Sequence, residues 1–459
     1  MRKSLVVILM VAALLVSAGA LAAGRPLPGK SRALKSTAVT LSFKPFTVGE
    51  LIHFKLRIDF ATIGKPIHSA MLVTIENQTS RLRGLPLKKQ VKFVEVAEEG
   101  IRLQTLVEFN QDTPPADIEA DQKLLVALGL FPPNESLEAV LTNVYTEQIA
   151  GSYDPKTKEI TIVSGKGMGS AMDDVTMSHE ITHALQDQNF NLQKPPLDNK
   201  AYNGDNDSAV TSLIEGDAQN TSFQYAKTYL SVAQLQDLAT ADVPASPVLD
   251  SAPLYIRRSV LFPYEQGLKF VQQLAAKGDG PVDKALKDPP LSTEQIIHPD
   301  KYIVARDNPR PVPLADISAS LGKGYKKINE DCLGEFDIDV MFEQFFGTRG
   351  LPSVGAGWGG NTIQYYQGPN DNYVLVSDTV WDTPNDATEF YDAYARLLDK
   401  RFGARLNKLG TAQTAYTYEA EGVLFYCGRA GDATLFLQAP NRATLNKILA
   451  NYPLFPPAP

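Results

Sequence analysis

The pattern of polar and apolar residues predicts a chain built from both helices and strands. The segments 116–128 and 137–148 are expected to be helices, and the segment 91–96 is expected to be a strand. Residues 158–163 alternate polar and apolar side chains directly after a turn at 153–157, which predicts a second strand. We expect this second strand to lie at the edge of a sheet, where an extended peptide can pair with it. An interior strand of a mixed sheet is the alternative.

The end of the chain has a pattern of its own, from about residue 311. It comprises strands at 361–367 and 373–381, a helix from 384 to about 400, strands at 415–427 and 433–438, and a helix at 441–452. Proline directly after Thr383 favours a helix start at that point. This order of elements predicts an antiparallel sheet with two helices on one face. The segment holds no catalytic constellation, so we expect it to brace a cleft or to bind a partner.

The clearest chemical motif is His179-Glu180-Ile181-Thr182-His183, in a segment (173–188) that is free of proline and predicts a helix. Residues four positions apart on a helix project from one face, so both imidazoles can reach one ion. Glu180 then flanks the position of a metal-bound water and can accept its proton. The motif therefore predicts two zinc ligands and a general base. An ordinary exposed helix with coincidental histidines is the alternative.

A catalytic zinc commonly has three protein ligands, so a third residue is required. The best candidate is Glu215, at the start of a second predicted helix that runs to about Tyr229. Asp217 competes with it, but two positions further along a helix it points about 200° away, so only one of the two faces the metal. Gly216 and Ala218 are small, as expected where this helix approaches the first one closely.

Other residues are candidates for supporting roles. Asp187, one turn beyond His183, is suited to accept the second ring N–H of a ligand histidine; a solvated charge at the helix end is the alternative. His298 lies in a loop that the following proline holds extended. It is a candidate for stabilising the oxyanion of a tetrahedral intermediate, with Tyr302 and Tyr264 as alternatives.

Two blocks of the sequence resemble a known family: 179–188 (HEITHALQDQ) and 213–218 (LIEGDA). They are similar to the gluzincin branch of zinc metallopeptidases, in particular to exported bacterial proteins with HExxHALQDQ and EGxA blocks. Further segments that resemble the same group lie at 83–86, 147–155, 292–299 and 357–360. The resemblance implies a zincin-like fold, a peptide or protein substrate, and Zn²⁺ as the cofactor. The ligands that it implies are His179, His183 and Glu215, with Glu180 as the general base.

Composition and charge narrow the class of protein. Hydrophobic residues make up 44% of the 459 residues, which is enough for a sizeable core. The net charge of −8 and the lack of a basic run argue against nucleic acid as a partner. The two cysteines, Cys332 and Cys427, are expected either to form one disulfide or to be two free buried thiols.

The N-terminus predicts the destination of the protein. Arg2-Lys3 precede an apolar stretch from Leu5 to Leu21, and small residues follow near Ala22, which is typical of a cleaved signal peptide. We therefore expect a secreted or periplasmic protein that has no membrane anchor after cleavage. An uncleaved anchor is the alternative, since the apolar stretch is near spanning length.

These patterns and the family resemblance together predict an α+β chain in four parts. The parts are a signal peptide (1–23), a linker and N-terminal extension (24–65), a zincin-like metallopeptidase domain with a mixed sheet and the two metal-binding helices (66–310), and a C-terminal α+β subdomain (311–459). Between the two metal-binding helices, residues 188–207 are expected to form a long loop at the rim of the cleft. Asp205 and Asp207 in this loop are calcium candidates, although solvated charge is the expectation. His53 and His68 show no ligand spacing.

Overall fold

A computed structural model describes residues 65–67, 69–147, 151–164, 169–240, 246–278, 280–348, 354–403, 407–412 and 414–459. Across these residues the fold is α+β, as predicted, with a mixed four-stranded sheet and a separate seven-stranded antiparallel sheet. The predicted signal peptide, the N-terminal extension up to residue 64, His53 and His68 lie outside the described residues. None of the helices in the described part of the chain is long and apolar enough to cross a membrane.

The first part of the chain forms the smaller sheet and the helices around it. Its elements are β1 (Lys65–Ile67), α1 (Ala70–Arg83), β2 (Lys92–Val96), α2 (Glu98–Asp112), α3 (Pro115–Leu128), α4 (Leu137–Glu147), β3 (Gly151–Asp154), β4 (Glu159–Val163), α5 (Ala171–Phe190) and α6 (Gly204–Tyr229). Six further helices follow: α7 (Val232–Thr240), α8 (Pro247–Ser251), α9 (Leu254–Ala275), α10 (Pro281–Lys287), α11 (Thr293–Ile297) and α12 (Asp300–Ile303).

The last part of the chain forms the larger sheet. Its elements are α13 (Ser318–Leu321), β5 (Lys326–Asp331), α14 (Glu335–Phe346), β6 (Trp358–Gln367), β7 (Tyr373–Trp381), α15 (Pro384–Phe402), β8 (Asn407–Ala412), β9 (Ala415–Ala420), β10 (Val423–Ala430), β11 (Ala433–Ala439) and α16 (Arg442–Leu449). The strand order is β5-β6-β7-β11-β10-β9-β8.

In the smaller sheet the strand order is β1-β2-β4-β3, with β2 and β4 parallel and the other pairs antiparallel. Because β4 lies between β2 and β3, the expectation that residues 158–163 form an edge strand is wrong, and the interior alternative is confirmed. Residues 160–163 are all buried, as is typical of a strand covered on both faces. The outer strand, which contacts α5, is β3.

Two capped helices carry the predicted ligands. The Ser170 side chain and the Asp173 side chain cap the start of α5 reciprocally. Asn203 and Asn206 form the same arrangement at the start of α6. As a result, α6 begins at Gly204, well before Glu215, where the second helix was predicted to begin, and the loop between α5 and α6 is shorter than predicted.

The helices α6 and α9 approach each other closely at two glycines. A Cβ atom on Gly216 would lie 2.2 Å from the carbonyl oxygen of Gly267, and one on Gly267 would lie 2.1 Å from that of Ser212. The two backbones therefore touch where both residues lack a side chain. The small size of Gly216 is required against α9, and not against α5 as predicted.

The larger sheet differs from its prediction in two respects. The segment 415–427, predicted as one strand, contains a hairpin in which Glu421 and Gly422 both adopt positive φ angles, 53° and 75°. The two predicted helices also cover opposite faces of the sheet and not one. Leu375 packs in the same cluster as Phe390 of α15, whereas its neighbour Val376 packs in another cluster with Leu445 of α16.

One hydrophobic cluster joins the two halves of the chain. Phe109, Leu125 and Tyr145 from α2, α3 and α4 share it with Phe342 of α14 and Phe390 of α15. Residues on both sides of position 310 thus contribute to one core.

The same cluster contains both cysteines. Cys332 and Cys427 are buried and are not bonded to each other, so the alternative of two free thiols is confirmed. The disulfide prediction is wrong.

Candidate metal centre

The helices α5 and α6 bring the three predicted ligands together. Nε2 of His179 lies 3.1 Å, and Nε2 of His183 lies 3.4 Å, from the same oxygen, Oε2 of Glu215. Donor atoms bound at about 2.0–2.1 Å to one tetrahedral zinc are roughly 3.3 Å apart, so these distances fit the ion. Two imidazoles and one carboxylate also leave a fourth position for water. The described residues therefore contain a group that can hold a metal ion.

Burial and mutual attraction set the charges of this group. Burial acts to lower the pKa of His183, but the Glu215 carboxylate outweighs it and raises that pKa to about 9. Burial acts to raise the pKa of Glu215, but the charge of His183 outweighs it and lowers that pKa to about 2. At His179 burial dominates and lowers the pKa to about 4. Without a metal, the group thus holds one proton on His183, opposite an ionised Glu215.

Glu180, the predicted general base, lies beside the ligands with only 3% of its surface exposed. Its Oε2 accepts a hydrogen bond from the backbone N–H of Tyr153, at 2.7 Å. Burial raises the pKa of Glu180 to about 8; the charge of Glu215 also raises it, while His183 and the Tyr153 N–H lower it. The carboxyl group is therefore held by β3 and is not a ligand in this geometry.

The hydrogen-bond partner of His183 is Gln186, and not Asp187 as predicted. Nδ1 of His183 lies 2.9 Å from Oε1 of Gln186. Nε2 of Gln186 donates to Oδ2 of Asp217 at 2.8 Å, and Nε of Arg83 donates to Oδ1 of Asp217 at 2.6 Å. Asp217 thus points away from the ligand group, which agrees with the choice of Glu215 as the third ligand.

Asp187 has a structural role instead. Its Oδ2 accepts from the hydroxyl of Tyr153 at 2.6 Å and from Nζ of Lys158 at 2.6 Å, and its Oδ1 accepts from the N–H of Leu192. The side chain is buried, so the alternative of a solvated charge is wrong as well. Asp187 ties the end of α5 to the β3–β4 hairpin.

Of the three candidates for stabilising an oxyanion, the structure brings one to the ligands. The ring of Tyr264, on α9, stacks beside that of His179 with 6.4 Å between centroids. His298 lies outside the ligand group, with its Nε2 2.9 Å from Oε1 of Glu335. The hydroxyl of Tyr302 donates to the carbonyl oxygen of Asp288.

Three residues around the site were missed by the sequence-based reasoning: Tyr153, Gln186 and Arg83. All three lie in segments that carry the family resemblance, which are 147–155, 179–188 and 83–86. That resemblance was the signal in the sequence that could have indicated these residues. Their roles depend on contacts with distant parts of the chain, such as that of Arg83 with Asp217.

A second acidic group surrounds a lysine. Nζ of Lys301 lies 2.6 Å from Oε1 of Glu294, 2.6 Å from Oδ2 of Asp382 and 3.2 Å from Oδ2 of Asp307. The ammonium group lies among the three carboxylates, at the position that a metal ion would take, and pairs with each of them. This group is therefore an ion-pair network.

Asp205 is not a solvated loop charge. It lies buried in the first turn of α6, where its Oδ1 accepts from the N–H and the hydroxyl of Thr293 at 3.1 and 2.5 Å. Burial raises the pKa of Asp205 to about 7, and the neighbouring charge of Asp337 also raises it. Among the described residues, Asp205 belongs to no group of three metal-ligating side chains.

Comparison with known proteins adds a match for the C-terminal part alone. A family model described as a domain of unknown function (DUF8575) matches residues 323–449. The match extends from just before β5 to the end of α16, and all three ligand residues lie outside it. No curated protein and no solved structure matches the chain.

Proposed function

We propose that this protein is a zinc-dependent metallopeptidase of the gluzincin type. His179, His183 and Glu215 hold the ion, and Glu180 is the general base. The observation that carries the proposal is the convergence of both Nε2 atoms on one oxygen of Glu215, with a buried carboxyl group beside them that is not a ligand. A zinc with a purely structural role commonly has four protein ligands and requires no base.

Each residue of the site has its own role in the proposed reaction. Zinc, when bound, polarises the scissile carbonyl and lowers the pKa of a water molecule. Glu180 accepts the proton of that water and passes it to the leaving amine. The N–H of Tyr153 holds the Glu180 carboxylate towards the ligands. Tyr264, beside His179, is the candidate donor to the developing oxyanion.

A peptide substrate is supported by the position of β3. The N–H of Tyr153 points away from β4 and towards Glu180, so the edge of β3 that pairs with no other described strand runs past the general base. An extended peptide that adds to this edge would pass close to the same carboxylate. We propose that peptides or proteins bind here, in an exported protein directed by residues 1–23. A zinc hydrolase that acts on another amide remains the alternative with the same chemistry.

One observation favours a second candidate, a non-catalytic envelope protein with a structural zinc. The exposed surface of His179, His183 and Glu215 is 1%, 5% and 1%, which leaves little room for a substrate carbonyl. The two candidates differ in whether Glu180 matters for turnover. They agree in predicting one zinc per chain.

The deciding experiment combines metal analysis with digestion of a diverse peptide library. The wild type should bind one zinc, and the change of both His179 and His183 to Ala should abolish binding. Glu180→Gln should keep the zinc but lose about 10²–10⁴-fold in turnover, the usual contribution of a positioned base. Glu343→Gln is the matched control, because the Glu343 side chain pairs with Arg258 on α9. This variant should cleave peptides as fast as the wild type. Zinc binding without cleavage by any form would favour the structural candidate.

A further inference from the structure

A chain of hydrogen bonds runs from the metal ligand His183 to the surface. It passes from Nδ1 of His183 to Oε1 of Gln186 at 2.9 Å, from Nε2 of Gln186 to Oδ2 of Asp217 at 2.8 Å, and from Oδ1 of Asp217 to Nε of Arg83 at 2.6 Å. Nη2 of Arg83 then donates to Oδ1 of Asp283 at 2.7 Å. We infer that Gln186, oriented by the Asp217–Arg83 ion pair, is the positioning residue that fixes the ring and tautomer of His183. This inference rests on the proposed metal site.

The contacts of the Gln186 amide fix its direction. Its Nε2 has two acceptors, Oδ2 of Asp217 at 2.8 Å and the carbonyl oxygen of Ile214 at 3.0 Å. Neither acceptor can donate when Asp217 is ionised, so a flipped amide would set oxygen against two oxygens. Oε1 must therefore face His183, and Nδ1 of His183 must carry a hydrogen. In a neutral imidazole this leaves the lone pair on Nε2, which faces the metal position.

Asp217 forms a buried ion pair with Arg83. Its side chain is 2% exposed and that of Arg83 is 10% exposed, so both charges are buried and each requires the other. Because Arg83 balances Asp217, the chain transmits orientation to His183 without adding net negative charge beside the zinc. A ligand histidine more commonly donates to a carboxylate, carbonyl or water. Here a neutral amide stands between the carboxylate and the imidazole.

The chain also joins four helices. Gln186 lies on α5, Asp217 on α6, Arg83 at the end of α1 and Asp283 on α10. Arg83 contacts two carboxylates through different nitrogens, a geometry that lysine, with one nitrogen, does not reproduce. The orientation of one metal ligand is thus set by residues far from it in sequence.

The test uses variants that preserve size and alter the pattern of donors and acceptors. Gln186→Met removes the acceptor for His183 and should weaken zinc binding by about 10–100-fold, the usual effect of losing such a partner. Gln186→Glu places a second carboxylate beside that of Asp217 and should also weaken zinc binding. The double change Gln186→Glu with Asp217→Asn moves the carboxylate one position inward and restores alternating donors and acceptors from His183 to Arg83, and only the bond from residue 186 to the carbonyl oxygen of Ile214 is lost. It should recover most of the affinity lost in Gln186→Glu.

Zinc affinity is measured by competition with a chelator, and the thermal stability of each metal-free variant reports folding. The tautomer of His183 is read from ¹⁵N chemical shifts of the zinc-loaded protein. Gln188→Met is the matched control on α5, because Gln188 bonds to the backbone of Lys88 and Lys89 and not to a ligand. It should change stability without changing zinc affinity or the His183 signals.

The results distinguish failure of the inference from failure of the proposed function. Wild-type affinity in Gln186→Met, or a double variant no better than Gln186→Glu, would overturn it while leaving the proposed function intact. Failure of the wild type to bind zinc would overturn both. If Gln186→Met does not fold, the comparison of Gln186→Glu with the double variant still decides, since these two differ only at Asp217.

Discussion

The backbone N–H of Tyr153 donates to Oε2 of Glu180 at 2.7 Å, so the edge strand β3 holds the proposed general base directly. The hydroxyl of the same tyrosine donates to Oδ2 of Asp187 at 2.6 Å. One residue of the strand therefore fixes α5 at two points, two turns apart. A hydrogen bond from a backbone N–H favours the ionised form of a carboxyl group, which is the form that a general base requires, but burial outweighs it and raises the pKa of Glu180 to about 8.

The protonation of His183 predicts how zinc affinity depends on pH. Glu215 outweighs burial and raises the pKa of His183 to about 9, so this imidazole is charged at neutral pH when no metal is present. Zinc binds the neutral imidazole, so the proton must leave. Affinity should rise with pH up to about 9, by about tenfold per pH unit for each proton released. Calorimetric titration in buffers of different ionisation enthalpy measures both the zinc affinity and the number of protons released. An affinity that stays constant from pH 6 to 8 would contradict the assignment.

Asp205 should make the stability of the protein fall as pH rises. Burial raises its pKa from 3.8 to about 7, so the folded state holds this proton more tightly than the unfolded state. The stability that this group contributes to the folded state is fully present below pH 3.8 and is lost as pH rises to about 7. Asp205→Asn removes the titration, so the stability of the variant relative to wild type should improve between pH 5 and 8. Denaturant unfolding at both pH values measures this difference.

The control for that experiment is Asp237→Asn, since Asp237 is exposed on α7. Its stability relative to wild type should be the same at pH 5 and pH 8. Asp331 and Asp337 also face Asp205, and burial raises the pKa of Asp337 to about 6. A residual slope in Asp205→Asn is therefore expected, smaller than that of the wild type. An equal slope in both proteins would show that Asp205 is not the titrating group.

The pair His179 and His183 was predictable because its geometry is local, whereas Glu215, 36 positions from His179, lies in a second block that carries the family resemblance. The spacing of His179 and His183 fixes their common face on any helix, and helical geometry separates Glu215 from Asp217 in the same way. The strand at 373–381 and the helix after Thr383 were also predictable, since both depend on neighbouring residues. These elements lie within a residue or two of their predicted bounds.

What was missed depends on contacts between distant residues. Arg83 and Asp217 are 134 positions apart, and no local pattern indicates that they meet. The predicted position of the C-terminal helices failed for a related reason. Val374, Leu375 and Val376 are all buried, so β7 has no solvent-facing side in its middle to reveal that helices cover both faces.

The contact between α6 and α9 predicts a severe effect at Gly216. A Cβ atom there would lie 2.2 and 2.3 Å from backbone atoms of Gly267, which cannot move without shifting a helix. Gly216→Ala should destabilise the protein by about 1–3 kcal/mol or more and weaken zinc binding, because Glu215 is the adjacent residue. Gln224→Ala, on the exposed face of α6, should change neither. Thermal unfolding and chelator competition measure both effects. Normal zinc affinity in a destabilised Gly216→Ala would show that Glu215 tolerates the shift.

The last prediction concerns the group that stabilises the oxyanion. The ring of Tyr264 lies 6.4 Å from that of His179 and is buried on α9, whereas His298 pairs with Glu335 and Tyr302 bonds to the backbone of Asp288. Tyr264→Phe removes only a hydroxyl, so it should keep zinc while lowering kcat by about 10²-fold, as loss of one oxyanion donor does. His298→Gln and Tyr302→Phe should leave kcat unchanged. Steady-state kinetics on a cleaved peptide separates these variants. A loss of kcat in His298→Gln with normal Tyr264→Phe would restore the original assignment to His298.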